Sequence, residues 1–215
     1  MEFFEFAQGA LPLLFQGITM TVRLTVVSIL LGMALGLVVA LGRIAKNPII
    51  RAPATFYVEF IRGTPLLVQI FMIYFGIGYW INVSDYVAGI AALSINSAAY
   101  NAEIFRAGIQ SISRGQMEAA RSLGMTYTQS MRYVVLPQAF RVVLPPLGNE
   151  FIALLKDSSL VSIIGIADLM RVGREIGGRT LKSFEIFTIV AFLYLTLTVP
   201  LTAIVRYAER RFKTT

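Results

Sequence analysis

Apolar residues run through this chain in long unalternating stretches, near 18–42, 56–81, 86–106, 138–164 and 184–206. Each stretch holds the ~20 residues that a helix needs to cross a hydrocarbon core of ~30 Å. A run without a two-residue alternation reads as helix rather than strand, and at membrane depth only helices or a closed barrel satisfy every backbone polar group internally. The pattern therefore predicts an all-α integral membrane protein with five transmembrane helices, one domain spanning residues 1–215. Five crossings put the two ends of the chain on opposite sides.

The interruptions are as informative as the spans. Arg43, Lys46 and Arg51 follow the first stretch; Arg106, Arg114, Arg121, Arg132 and Arg141 follow the third; Arg206, Arg210, Arg211 and Lys213 follow the fifth. Basic residues collect on the cytosolic face, so the C-terminus is expected inside and the acidic N-terminus outside. The net charge of +7 is then a record of topology and calls for no nucleic acid. Residues 167–183 do not conform, because Arg171, Arg174, Arg179 and Lys182 would lie outside; that stretch is read as a re-entrant or docked segment, or a surface loop.

Hydrophobic residues make up 56% of 215 and charged residues 14%, more apolar side chain than a soluble domain of this size can hide. With no Cys and no His, disulfides, thiolate chemistry and imidazole ligation of a metal are excluded. Met1 to Ala10 carries Glu2 and Glu5 and no basic residue, unlike the n-region of a secretory signal, and is read as part of the mature chain. Gly32 and Gly36 form a small-xxx-small pair for close helix packing. The string Gly173 to Thr180 imitates a phosphate-binding loop, but Arg179 stands in the lysine position and no strand precedes it.

The polar segment 113–136 has start and stop signals of its own. Ser113 and Gln116 have the form of a capping box, so a helix should begin at Arg114, pass through Glu118-Ala119-Ala120 and end at Gly124; Thr126 and Gln129 repeat the start signal ahead of Pro137. Small residues let such a hairpin seat against another backbone, while the alternative is an amphipathic loop lying on lipid headgroups. From Glu118 onward the spacing is EAA, three residues, G, nine residues, V, one residue, LP. This resembles the EAA loop of permease subunits of ATP-binding-cassette importers, with Val134 where the pattern has Ile. FIRGTPLL over 60–67 and SAAYNAEIFR over 97–106 resemble the polar amino-acid uptake branch of that family.

The resemblance implies a permease without catalysis or cofactor of its own, in the prokaryotic inner membrane. It implies a second permease copy, identical or not, a dimer of cytosolic ATPase subunits that hold ATP and Mg, and an external substrate-binding protein. Glu118, Ala119, Ala120 and Gly124 would form the coupling helix that enters a groove on the ATPase. Candidate substrate residues come from the spans, where carboxylates cost roughly 2.5–3.5 kcal/mol each and need partners or water. Glu103, Glu150 and Asp157 converging on a cavity would suit a cationic amino acid such as arginine, lysine or histidine; pairing with Lys156, Arg106 or Arg141 is the competing reading. Thr64 and Pro65 read as N-cap and N1 of a helix running to Ile81, whose start would hold a substrate carboxylate or else mark an ordinary entry at the interface. A secondary transporter driven by an ion gradient is the alternative class.

Overall fold

A computed structural model describes residues 2–77 and 83–212, and every regular element among them is helical. The first helix, α1, covers Glu2–Ile44. At 43 residues and ~1.5 Å per residue it is about twice as long as a bilayer core is thick. The expected span 18–42 is thus only its second part. The first part is held by an apolar cluster in which Ala10 and Leu14 meet Leu169, Ile186, Ile189 and Val190. Tertiary packing extends the helix through a stretch that hydropathy alone left outside.

The second apolar stretch, 56–81, is broken near Thr64 and Pro65, where the sequence predicts a helix start. Asn47 caps α2, Pro48–Arg62, by accepting from the Ile49 amide, and Gly63 ends it. A short α3, Leu66–Phe71, then continues as a wider π turn over Met72–Ile77. The two pieces meet at a bend of 108°. Pro65 explains the break, since it lacks the amide that an uninterrupted ladder requires. The expected end at Ile81 lies outside the described residues.

Ser84 caps α4, Asp85–Gln110, which forms the centre of the molecule. Its buried positions are mostly Ala, Gly, Ser and Asn, including Ser94, Asn96, Ser97 and Asn101. Small residues let α1 approach closely: a Cβ on Gly36 would stand 2.8 Å from the Ala98 carbonyl oxygen, and one on Gly32 would stand 3.0 Å from the Ser97 Cβ. The expected small-xxx-small contact is therefore the α1–α4 crossing.

Two short helices follow, α5 over Arg114–Ser122 and α6 over Tyr127–Ser130. A π turn at Met131–Val135 leads into α7, Leu136–Asp157, and a 3-10 turn over Ser158–Ile164 reaches Gly165 at φ 112°. Residues 167–183, uncertain from charge, contain a helix, α8, Leu169–Thr180, and α9 then runs Ser183–Phe212. Asp168 caps α8 from a fully buried position, and burial pushes its carboxyl up to about 6. Gly173 and Gly177 of the phosphate-loop imitation sit in continuous helix, facing Val190 and Ile186 of α9. They serve close packing.

Among the described residues, Phe3–Ile44 and Ser183–Phe212 are each long and apolar enough to cross a membrane, and the bent pair α2–α3 qualifies as one further, broken span. The helix α4 is less apolar and packed on several sides, with α1, α3, α7 and the 3-10 turn all against it.

Candidate functional site

The hairpin between α4 and α7 is built as the sequence predicts in most particulars. Ser113 accepts from the Gly115 amide at 3.3 Å and so caps α5, but the full box does not form: Gln116 instead receives the Gln138 amide at 3.4 Å. At the other end Gly124 takes φ 87°, the left-handed geometry that glycine adopts without a Cβ penalty. The Met125 amide reaches back to the Ala120 carbonyl and the Gly124 amide to the Arg121 carbonyl, the two bonds of a Schellman ending. Thr126 and Gln129 form the expected reciprocal box, with bonds of 2.8 and 3.2 Å. Both turns of the hairpin are therefore fixed by local chemistry.

What the hairpin presents is partly as anticipated. Glu118, Ala119, Arg121 and Gly124 are exposed. Ala120 turns inward, where its lack of bulk lets α5 settle on the rest of the hairpin. The sequence reading passed over Leu123, which is 85% exposed at the tip. Its signal was an apolar residue at the C-cap of a helix otherwise polar.

The three acids do not converge equally. Glu103 accepts from Arg43 at 2.6 Å and pairs with Arg106 one turn along its own helix, while Arg43 also reaches Glu59 at 3.3 Å. Arg62 lies over the Tyr100 ring at 5.4 Å from its centroid, beside this cluster. The Glu103 charge is already met by two guanidiniums. Arg43, only 13% exposed, was not anticipated as its partner, because sixty residues separate them. Glu150 is half-buried on α7 and accepts from the Ser97 hydroxyl at 3.1 Å, and Asn101 donates in turn to that hydroxyl at 3.0 Å. Asp157, two helical turns on, is exposed at the end of α7.

Thr64 is not the cap of the following half-helix. The N-cap position belongs to Pro65, with no side-chain bond, and the Thr64 hydroxyl instead donates backward to the Phe60 carbonyl at 3.0 Å. The sequence reading missed Gln69, whose side chain bonds to Thr64 and Ile61, and Asn96, which holds Gln69. A buried amide just after a helix break was the available clue. Nearby in sequence to Asp157, a groove of about 470 Å³ is lined by Lys156, Ser159, Met170, Phe187, Val190 and Tyr194 among others.

The chain as a whole is similar to known proteins. Residues 32–214 match the model of a family described as binding-protein-dependent transport system inner membrane component. The chain is 43% identical over 194 residues to the probable glutamine ABC transporter permease protein GlnM of Bacillus subtilis, covering 90% of each. It is 40% identical to the glutamine transport system permease protein GlnP of Escherichia coli, over 95% of this chain and 94% of that one. It is 39% identical to the arginine transport system permease protein ArtQ of Bacillus subtilis, covering 94% of each. Among solved structures, an amino acid ABC transporter crystallised with histidines superposes with a TM-score of 0.88 at 47% identity, over 93% of this chain and 94% of that one. The methionine transporter MetNI in inward-facing form shares the fold, with a TM-score of 0.77 at 23% identity, over 94% of this chain and 97% of that one. The match over most of the sequence, on a helical fold with a capped hairpin between α4 and α7, makes this chain a member of the binding-protein-dependent transport system inner membrane component family.

Proposed function

We propose that the chain is the transmembrane subunit of an ATP-driven amino-acid importer, crossing the inner membrane five times with its N-terminus outside and its C-terminus in the cytosol. Two permease subunits alternate between outward and inward access, fed by an external binding protein. ATP and Mg are handled by a separate ATPase dimer, into which the hairpin carrying Glu118, Ala119 and Gly124 inserts, with Ala120 supporting it from behind. The observation that supports this reading is the hairpin itself: a doubly capped element that presents Glu118, Ala119, Arg121, Leu123 and Gly124 to the outside.

The substrate class we propose is polar or cationic amino acids, supported by relatives named for glutamine and arginine. Glu150 and Asp157, rather than the neutralised Glu103, are the acids left to meet a cation; Thr64 shapes the broken helix through its bonds to Phe60 and Gln69. Reconstitution tests the whole proposal. Proteoliposomes holding this permease, its ATPase and enclosed ATP should accumulate amino acid, and omitting either ATP or the ATPase should abolish uptake. Uptake driven by a sodium or proton gradient alone would establish a secondary transporter instead.

A further inference from the structure

The bend between α2 and α3 leaves a polar problem that one side chain solves. A helix that stops at Arg62 leaves carbonyls of its last turn without intrahelical donors. Gly63 and Thr64 amides serve Glu59 and Ile61, and the Gln69 side-chain amide then reaches back across the break: 2.7 Å to the Ile61 carbonyl, 3.1 Å to the Thr64 carbonyl and 2.9 Å to the Thr64 hydroxyl. Gln69 belongs to the far arm, the Ile61 carbonyl to the near arm, and the two Thr64 acceptors to the break between them. A side chain that bridges the two arms of a break resists any change in their angle.

Gln69 is 4% exposed and is oriented in turn from α4, where the Asn96 amide donates to its Oε1 at 2.9 Å. The preceding residue of α4, Ile95, accepts the Tyr57 hydroxyl of α2 at 2.6 Å. Adjacent positions on one rigid helix thus hold the near arm and the bridge to the far arm. Asn96 fixes which end of the Gln69 amide faces the break: with Oε1 occupied by a donor, Nε2 must point at the carbonyls.

We infer that Gln69 and Asn96 form a latch that sets the angle of the broken α2–α3 helix, acting as positioning residues for the arm that follows Pro65. Releasing that bridge takes away the side-chain bonds across the break and leaves the apolar packing of α3 on α4 to hold the angle. The inference concerns the geometry of the chain; only its consequence for uptake rests on the importer reading.

The absence of cysteine from the sequence makes the test direct. Spin labels at Arg51→Cys and Phe75→Cys, both exposed and on opposite arms, report the bend in the full permease in lipid nanodiscs. Gln69→Met keeps length and bulk without hydrogen bonds, and Asn96→Leu keeps bulk without the donor. Each should shift the label distance longer and broaden it as the arms open, and the double variant should shift it no further than either single, because the pair acts as one unit. Thr64→Val, which removes one acceptor of the three, should give a smaller shift in the same direction and serves should the other variants fail to fold. Distances unchanged in all variants, or shifts that add independently, would overturn the latch. A latch-dependent distance in a protein whose uptake proves independent of ATP would support the latch while rejecting the importer reading.

Discussion

Arg43 Nη1 lies 2.6 Å from Glu103 Oε2, joining the end of α1 to the third turn from the end of α4. Because Arg43 is largely buried, the pair is costly to break by halves: removal of one partner of a fully buried pair costs about 3–5 kcal/mol, and partial exposure lowers that. We expect Glu103→Gln to destabilise the purified permease by about 2 kcal/mol, or about 4–8 °C in its melting midpoint. Affinity for arginine should stay within about twofold, since Glu103 has no free charge to offer a substrate. A large loss of arginine affinity with unchanged melting would place Glu103 in the binding site.

Glu150 and Asp157 should behave in the opposite way. Glu150→Gln retains an acceptor for Ser97, and Asp157→Asn alters an exposed position, so neither should much change melting. Each should weaken uptake of arginine relative to glutamine by about tenfold, the value of one charge-assisted hydrogen bond at roughly 1.5 kcal/mol. Competition between the two labelled amino acids in proteoliposomes gives the ratio. Equal losses for both would assign the acids to structure rather than to selectivity.

Gly124 separates backbone strain from crowding. A Cβ added there would touch nothing within 4 Å, yet φ is 87°. Gly124→Ala should therefore cost about 1–2 kcal/mol of hairpin stability through conformation alone, and Gly124→Pro, whose ring fixes φ near −65°, should abolish the turn. The expected readouts are graded loss of ATPase co-purification and of ATP-dependent uptake. Full uptake by Gly124→Pro would show that the hairpin transmits nothing.

Two glycines in helices should respond with opposite signs. Gly36→Ala forces a Cβ to within 2.8 Å of backbone at the α1–α4 crossing and should destabilise by about 1–3 kcal/mol. Gly178→Ala meets nothing within 4 Å and should stabilise α8 by up to about 1 kcal/mol through helix propensity. Thermal unfolding of the two variants in detergent compares them directly.

Much of this was legible in local chemistry. The end of α5, the left-handed Gly124 and the Thr126–Gln129 box that starts α6 depend on residues within five positions of one another, so spacing alone specifies them; the π turn that follows Ser130 has no such local signal. The Gly32 and Gly36 contact was legible as a motif, though not its partner. The bend at Pro65 was legible only as a boundary. Its angle depends on Gln69 and Asn96, which lie 27 residues apart and meet only when α3 folds against α4.

By itself the sequence determined the class of molecule and the caps of its hairpin at Ser113, Gly124 and Thr126, because apolar run length and capping are short-range properties of the chain. Tertiary structure decided which charges are spent and which are free. Arg43 reaches Glu103 from the end of another helix, Leu169 packs on Ala10 and Leu14 of α1 and donates its amide to Thr21, and Ser97 meets Glu150 across two helices. Such pairings follow from how helices cross, and no local pattern encodes the side chain waiting on the other side.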